Sequence, residues 1–308
     1  MKKILRVALI ILAILILGFL ALLLIAYLNR TPSLYMAYDN ADRYTVGSFT
    51  YDPQTVDAVD VTWLSGTVEF RKGSGARLNV SEPEDGLSDK QRMRWWLDGR
   101  TLRVQCWASK YGTDKDVSKP LTLEIPDGVA LSVSLKNGSL LLGSHALREL
   151  NAVITGAGTI QADVLNAEGP ILLSDGAGDV RINGISAASM QMKTILGEAQ
   201  IGRIDVQDEL QMHSSRGTLN VGSVTARQME IDSFMDVAIV LERCDTANIH
   251  GTRTDAVLTI PSGMGATVDF VNEFGKLNGR SVDKAERLTI GDGSCQIRAD
   301  VEALKIGN

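Results

Sequence analysis

The chain has 308 residues, of which 44% are hydrophobic and 5% aromatic, and its formal net charge at pH 7 is −6. This hydrophobic content excludes a disordered chain, and three cysteines are too few for a disulfide scaffold. Residues 1–30 carry four basic residues and no acid, so their charge is +4 and the remaining residues carry −10. Because an acidic body is repelled by nucleic acid, we expect no nucleic-acid partner.

The N-terminal segment contains one long apolar run. Residues 7–28 carry no charge and consist mainly of Val, Leu, Ile and Phe. A helix of this length would cross a hydrocarbon core of ~30 Å, so the run predicts an uncleaved single-pass anchor; a cleaved signal peptide is the alternative. The basic residues before the run predict a short cytoplasmic N-terminus (1–6), an anchor in the cell membrane (7–28), a juxtamembrane linker (29–55) and an extracytoplasmic domain (56–308).

A period of about twenty residues runs through the chain after residue 130. One recurring slot is occupied by Gly138, Gly158, Gly178, Gly197, Gly217, Asp236 and Ala256. Apolar residues stand two and four positions after the slot, as in Leu140 and Leu142 or, in the sixth repeat, Ala238 and Val240. This spacing of two is the period of a β-strand and places the apolar residues on one face.

A single repeat of this kind cannot bury its apolar face, whereas stacked repeats can. The sequence therefore predicts an all-β fold, a parallel β-solenoid that by analogy is a right-handed β-helix. Segment 63–70 has the same spacing around Gly66 and predicts a first coil. Residues 92–107 alternate on both sides of Asp98-Gly99 and predict a β-hairpin, so we expect segment 71–120 to form a cap or excursion at the N-terminal end.

Three stretches carry a resemblance to a known family. They are segment 59–70 (VDVTWLSGTVEF), segment 119–126 (KPLTLEIP) and the repeats that begin at Asn137 and Gly158. Over residues 56–308 the chain resembles the putative-adhesin, β-strand-repeat family of unknown function, found in bacterial membrane and surface proteins. The resemblance implies a solenoid exposed at the cell surface or associated with the envelope, and it supplies no catalytic residue.

Asp179 and Glu198 are the sharpest candidates for catalysis. On adjacent coils they would stack ~4.8 Å apart, close to the spacing of the two carboxyls in retaining glycosidases. Their columns are polar and face outward, however, and Arg181 stands beside them. We therefore expect a solvated face, and the sequence predicts no catalytic residue and no enzyme.

A column of small polar residues lies three positions before the slot. Its members are Thr155, Asp175, Thr194, Ser214 and Ser233. Hydroxyls stacked at a corner are expected to satisfy turn amides, and a cation held beside Asp175 is the alternative.

The cysteines and histidines show no ligand spacing. For Cys106, Cys244 and Cys295 we expect three buried thiols, and one disulfide with a leftover thiol is the alternative. The histidines at 145, 213 and 250 are isolated. The sequence thus predicts neither a metal site nor a cofactor.

Trp95 and Trp96 are the candidate ligand-contact residues. On one strand they point to opposite faces, so one is expected beneath the cap and the other at the surface, where it could stack on a sugar or a partner protein. The function expected is a non-enzymatic, membrane-anchored, adhesin-like binding or scaffolding module of the bacterial envelope. Its partner would be an envelope glycan, a surface ligand or another membrane protein. The alternatives are an accessory of envelope-stress signalling and a polysaccharide-processing β-helix enzyme.

Overall fold

The computed structural model describes residues 40–108, 118–272, 274–282 and 284–307. Within them the fold is all-β, with three single-turn 3-10 helices at Ala41–Arg43, Pro53–Thr55 and Asp89–Gln91. The strands of the N-terminal part are β1 (Thr45–Val46), β2 (Phe49–Tyr51), β3 (Ala58–Lys72), β4 (Leu78–Ser81), β5 (Arg94–Asp98), β6 (Thr101–Gln105) and β7 (Leu121–Ile125). The strands of the repeats are β8 (Ala130–Leu147), β9 (Glu149–Ala167), β10 (Pro170–Ala187), β11 (Ser189–Leu196), β12 (Ala199–Val206), β13 (Glu209–Arg216), β14 (Leu219–Thr225), β15 (Gln228–Ser233), β16 (Val237–Arg243) and β17 (Thr246–Thr259). The C-terminal strands are β18 (Ala266–Phe270), β19 (Lys276–Leu277), β20 (Arg280–Ser281), β21 (Glu286–Ile290) and β22 (Cys295–Gly307).

The repeats stack in parallel, one repeat on the next. Gly138 lies opposite Gly158, and Gly158 lies opposite Gly178. Strands β8, β9 and β10 each run through two faces of the stack, whereas the next three repeats are divided into two strands each, from β11 to β16. The first half of β10 pairs with β11 and its second half with β12, so β11, β13 and β15 lie on what we call the first face and β12, β14 and β16 on the second.

The predicted fold class needs correction, because the pairing of eight strands closes into a ring. From β10 the pairing runs through β11, β13 and β15 to β17 on the first face, and through β12, β14 and β16 to the same β17 on the second. The structure is thus a closed ring of eight parallel strands where the sequence predicted a β-solenoid with a transmembrane helix. Closure arises because β10 and β17 each continue around a corner. The apolar columns of the sequence do not show which strands continue around a corner, so they could not predict this closure.

The predicted membrane placement is also corrected. No helix in the described part of the chain is long and apolar enough to cross a bilayer. The apolar run 7–28, on which the anchor and the cell-membrane localisation depended, lies outside the described residues, as do residues 29–39 of the proposed linker.

The glycine column is explained by a close backbone approach. A Cβ on Gly178 would lie 1.5 Å from the carbonyl oxygen of Gly158, far inside van der Waals contact. Gly66 belongs to the same column, since it lies opposite Gly138 where β3 pairs with β8. The first coil therefore begins at β3, as segment 63–70 predicts, and β5 pairs with β6 as an antiparallel hairpin where one is predicted.

One part of the predicted register is wrong. Leu219 pairs with Val237, a step of 18 residues, so the inward residues of β16 are Val237, Ile239 and Leu241. Ala238 and Val240, which the twenty-residue period places inside, face outward. The corner before β16 has Asp236 where the earlier corners have glycine. It is one residue shorter than the corner before β14, because Val237 follows Ser233 by four positions whereas their partners, Leu219 and Ser214, are five positions apart.

Candidate functional site

A single row of outward side chains runs along the first face. In-register pairing places one residue from each strand in this row, which we call the polar row: Trp96, Arg103, Asp60, Ser132, Asn151, Leu172, Gln191, Gln211, Glu230, Asn248 and Arg298. Successive members are separated by the strand spacing of ~4.8 Å. All but Trp96 and Leu172 are polar, so the row offers hydrogen-bonding groups at a regular repeat.

Amide side chains form the middle of the polar row. The Gln191 Nε2 donates to the Gln211 Oε1 over 3.3 Å, and the Gln211 Nε2 donates to the Glu209 Oε1 over 2.9 Å. Asn151 and Asn248 are exposed. Each amide has two N–H donors and a carbonyl acceptor, so the same side chain can give and receive hydrogen bonds with one ligand.

Two shallow depressions lie on the polar row. One of about 450 Å³ is lined in part by Asp60, Arg103 and Asn151, and one of about 320 Å³ by Gln191 and Gln211 among others. Both are open to solvent and neither is a closed cleft. A ligand here would lie along the face instead of entering the molecule.

Trp96 lies at the N-terminal end of the polar row. Its ring meets the edge of Tyr44 at a centroid distance of 5.7 Å, and the Arg43 guanidinium lies 5.2 Å from the centre of the ring. Beside it, Arg103 is fixed by Asp60 at 2.7 Å and Asp98 at 3.1 Å. A half-buried aromatic ring is thus held next to an arginine that bridges two carboxylates.

Trp95 lies on the other side of β5. Its ring stacks on Phe49 at a centroid distance of 3.9 Å with an interplanar angle of 14°, and both rings pack against the core. The two tryptophans therefore occupy opposite faces of the strand. Of the two predicted contact residues, Trp96 is the one that the structure brings into an outward row.

The second face carries a groove of about 480 Å³. Its polar lining includes Arg181, Asn183, Gln200 and Asn220. Towards β16 and β17 the lining becomes apolar, with Val240 and Val257 among its residues. The groove therefore differs from the polar row in drawing most of its polar side chains from three successive strands, β10, β12 and β14.

The carboxylates of Asp179 and Glu198 are engaged within the second face. The Asp179 Oδ2 accepts from Arg181 at 2.5 Å, and its Oδ1 accepts from the backbone N–H of Glu198 at 3.1 Å. The Glu198 Oε1 accepts from Asn220 at 3.3 Å. Arg181 therefore offsets the charge of Asp179, as expected for a solvated face.

The small polar column is buried, apart from its first member. Asp175 pairs with Thr194, Thr194 with Ser214, and Ser214 with Ser233, while Ile154 replaces Thr155 in the interior. Ser233 accepts from the Met235 N–H, as predicted for a turn amide, whereas Ser214 donates to the Gly217 carbonyl.

Asp175 is the ionisable member of this column and, like Thr194, has side-chain oxygen without a hydrogen-bond partner. It is fully buried, and neither carboxyl oxygen makes a hydrogen bond of normal geometry. Burial raises the pKa of Asp175 to about 6, against a lowering effect of the nearby N–H groups of Ala177 and Gly176. The described residues contain no cluster of three or more histidine, cysteine or acidic side chains that could hold a metal, so no donor set accompanies Asp175.

A buried ion pair in the N-terminal part has no signal in the sequence. The Lys119 ammonium pairs with the Glu82 carboxylate, donates to the Gln91 carbonyl over 2.6 Å and lies 4.9 Å from the centre of the Trp63 ring. Burial lowers the pKa of Lys119. The two partners are 37 positions apart in the sequence, and no local pattern links them. The pair attaches the segment before β5 to the first coil.

The histidines lie apart. His145 is buried with its Nε2 3.3 Å from the Phe70 carbonyl oxygen, and burial lowers its pKa. His213 contacts Asp232 at 3.1 Å, and His250 contacts Asp300 at 3.4 Å. Each makes a local structural contact.

No protein-family model matches the chain, and no curated protein matches it. Among the solved structures that are similar to it are three from bacteria. A "putative adhesin" from Bacteroides fragilis NCTC 9343 is 9% identical with a TM-score of 0.35, over 86% of this chain and 97% of that one. A "putative adhesin" from Parabacteroides merdae ATCC 43184 is 9% identical with a TM-score of 0.27, over 86% and 97%.

The third is a "putative cell adhesion protein" from Clostridium sporogenes ATCC 15579, 8% identical with a TM-score of 0.22, over 86% of this chain and 99% of that one. The similar structures are thus bacterial proteins described in terms of adhesion. Likenesses at these TM-scores establish neither a shared fold nor a shared function.

Proposed function

We propose that the protein is a non-enzymatic, adhesin-like binding module of the bacterial surface, and that its polar row binds a neutral polysaccharide. The observation that carries this proposal is the register of the row, which aligns hydrogen-bonding side chains on successive strands of the first face. A polymer with a regular repeat of polar groups is the kind of ligand that meets such a surface at many points.

The chemistry of the row favours sugar hydroxyls. A hydroxyl donates one hydrogen bond and accepts others, and the amides of Asn151, Gln191 and Gln211 can do both in return. Trp96 adds an aromatic face on which a sugar ring can stack. Because the chain carries a net charge of −6, a neutral polymer is favoured over a polyanion such as nucleic acid.

The shape of the surface favours binding over catalysis. The depressions are shallow, and the carboxylates of Asp179 and Glu198 are engaged by Arg181, a backbone N–H and Asn220. A glycosidase needs one carboxyl that keeps its proton and another that is free to attack or activate water. The resemblance of the sequence to the putative-adhesin family agrees with a binding role.

The proposal is tested with the full chain on an array of neutral and acidic bacterial polysaccharides, followed by titration calorimetry with the best ligand. The double variant Gln191→Ala/Gln211→Ala should weaken binding by about tenfold or more, since two hydrogen-bonding side chains are lost. The matched control, Gln161→Ala/Gln200→Ala on the second face, should bind within about twofold of the parent. Equal losses in both variants, or no binding to any neutral polysaccharide, would contradict the proposal.

A further inference from the structure

Cys244 and Cys295 meet in space although 50 residues of chain lie between them. Cys244 is the first residue after β16, and Cys295 is the first residue of β22. The N–H of Gln296 donates to the carbonyl of Asp245 over 2.9 Å, which brings the residues after both cysteines into the same parallel pair. The pairing of Thr246 with Gln296 places the two cysteine side chains against each other, both thiols are buried, and the Cys244 Sγ donates to the Thr246 carbonyl over 3.0 Å.

The third cysteine provides a contrast. Cys106 is also buried, but its neighbours are the buried Lys119 and Glu82 and the backbone of Leu64 and Ser65, not another sulfur. Thiol–thiol contact is therefore a particular property of the C-terminal pair within the described residues.

We propose that Cys244 and Cys295 form an oxidative modification site, a disulfide that fastens the C-terminal strands to the ring of eight. β22 pairs with β17 along both faces, and it also pairs with β18 and β19. A bond at the first residue of β22 would therefore hold the final strands on the last coil of the stack. Cross-linking two distant positions stabilises a fold mainly by restricting its unfolded chain.

The oxidant is a small-molecule disulfide such as oxidised glutathione. The Cys244 thiolate attacks one sulfur of this reagent, whose S–S bond breaks, and one glutathione thiolate leaves. Cys295 then loses its proton and attacks the Cys244 sulfur, which releases the second glutathione thiolate. The two protein thiols lose two electrons and two protons, and the reagent becomes two thiols.

The surroundings of the two thiols favour this order of attack. The contact with Cys295 lowers the pKa of Cys244, whereas the same contact together with burial raises the pKa of Cys295. The thiolate is the reactive form, so Cys244 is the attacking group and Cys295 the resolving one.

The test is incubation of the folded full chain with oxidised glutathione, then alkylation and non-reducing peptide mass spectrometry. We expect one cross-linked peptide pair that joins Cys244 to Cys295 and is lighter by two hydrogens. The melting temperature should rise by about 5 °C or more, and a reductant should reverse the rise. Cys244→Ser should abolish both effects, while Cys106→Ser, the matched control, should keep them.

A second measurement covers variants that fold poorly. In the parent chain, which carries no substitution, the peptide map after oxidation shows directly whether Cys244 and Cys295 are joined. Separate alkylation or glutathionylation of Cys244 and Cys295, or a cross-link that includes Cys106, would overturn the proposal.

Discussion

At the residue scale, close backbone contact between coils explains why glycine occupies the recurring slot. A Cβ on Gly178 would collide with the carbonyl of Gly158, whereas a Cβ on Gly184, on the same strand, would meet nothing nearer than Val164 Cγ2 at 3.8 Å. The two positions therefore separate a steric requirement from the general effect of glycine on a strand.

Gly178→Ala should lower the free energy of unfolding by about 2–3 kcal/mol, because the coil must shift to relieve the overlap. Gly184→Ala should change it by less than about 1 kcal/mol. Urea unfolding of the full chain followed by circular dichroism measures both. Similar losses of stability for the two variants would show that close backbone approach is not the reason for glycine at the slot.

Asp175 is the residue at which burial and ionisation conflict. Its folded pKa, raised by burial to about 6, exceeds the ordinary value of 3.8. The folded chain therefore holds this proton more tightly than the unfolded chain, so this contribution to stability is complete below about pH 4 and disappears as the pH rises through 6.

Asp175→Asn should remove this pH dependence and raise the free energy of unfolding at pH 7 by about 2–3 kcal/mol, since no buried charge has to be desolvated. Unfolding by urea at pH 4, 5, 6 and 7 compares the variant with the parent chain. The parent chain should lose stability relative to the variant as the pH rises from 4 to 7. If the difference between their free energies of unfolding did not change over this range, Asp175 would ionise in the folded chain without destabilising it.

At the element scale, strand β16 decides how far the twenty-residue period extends. Ile239 is buried and pairs with Val221, whereas Val240, its neighbour, lines the outer groove. A shift of one residue exchanges the two faces of a strand, so single substitutions distinguish the observed register from the one that the period predicts.

Ile239→Ala should lower the free energy of unfolding by about 2–4 kcal/mol, because it leaves a cavity between coils. Val240→Ala should cost less than about 1 kcal/mol. Chemical unfolding of the two variants is the measurement. A larger loss of stability for Val240→Ala than for Ile239→Ala would support the register predicted from the sequence instead of the observed one.

Periodic features could be predicted from the sequence, and features without local repetition could not. The glycine and apolar columns predicted the stacking of Gly138, Gly158 and Gly178, because contacts between equivalent residues impose the same requirement on every coil. The opposite faces of Trp95 and Trp96 follow from strand alternation. The Lys119–Glu82 pair and the contact of Cys244 with Cys295 depend on distant segments, and each occurs once.

At the scale of the whole molecule, stacking converts a repeated sequence into an ordered surface. The polar row receives one side chain from each strand of the first face, so its length follows from the number of coils and its spacing from the strand separation. The closed ring between β10 and β17 holds the middle of the row in a fixed register. A rigid row of this kind needs little reorganisation to bind an extended polymer.

The most direct test of this account is carbene footprinting of the full chain with and without the neutral polysaccharide that binds best. A ligand along the polar row should protect Asn151, Gln191 and Gln211, which lie on three different strands, and should leave Gln161, Gln200 and Asn220 of the second face unchanged. Protection of the second face, or of one corner without the row, would contradict the account.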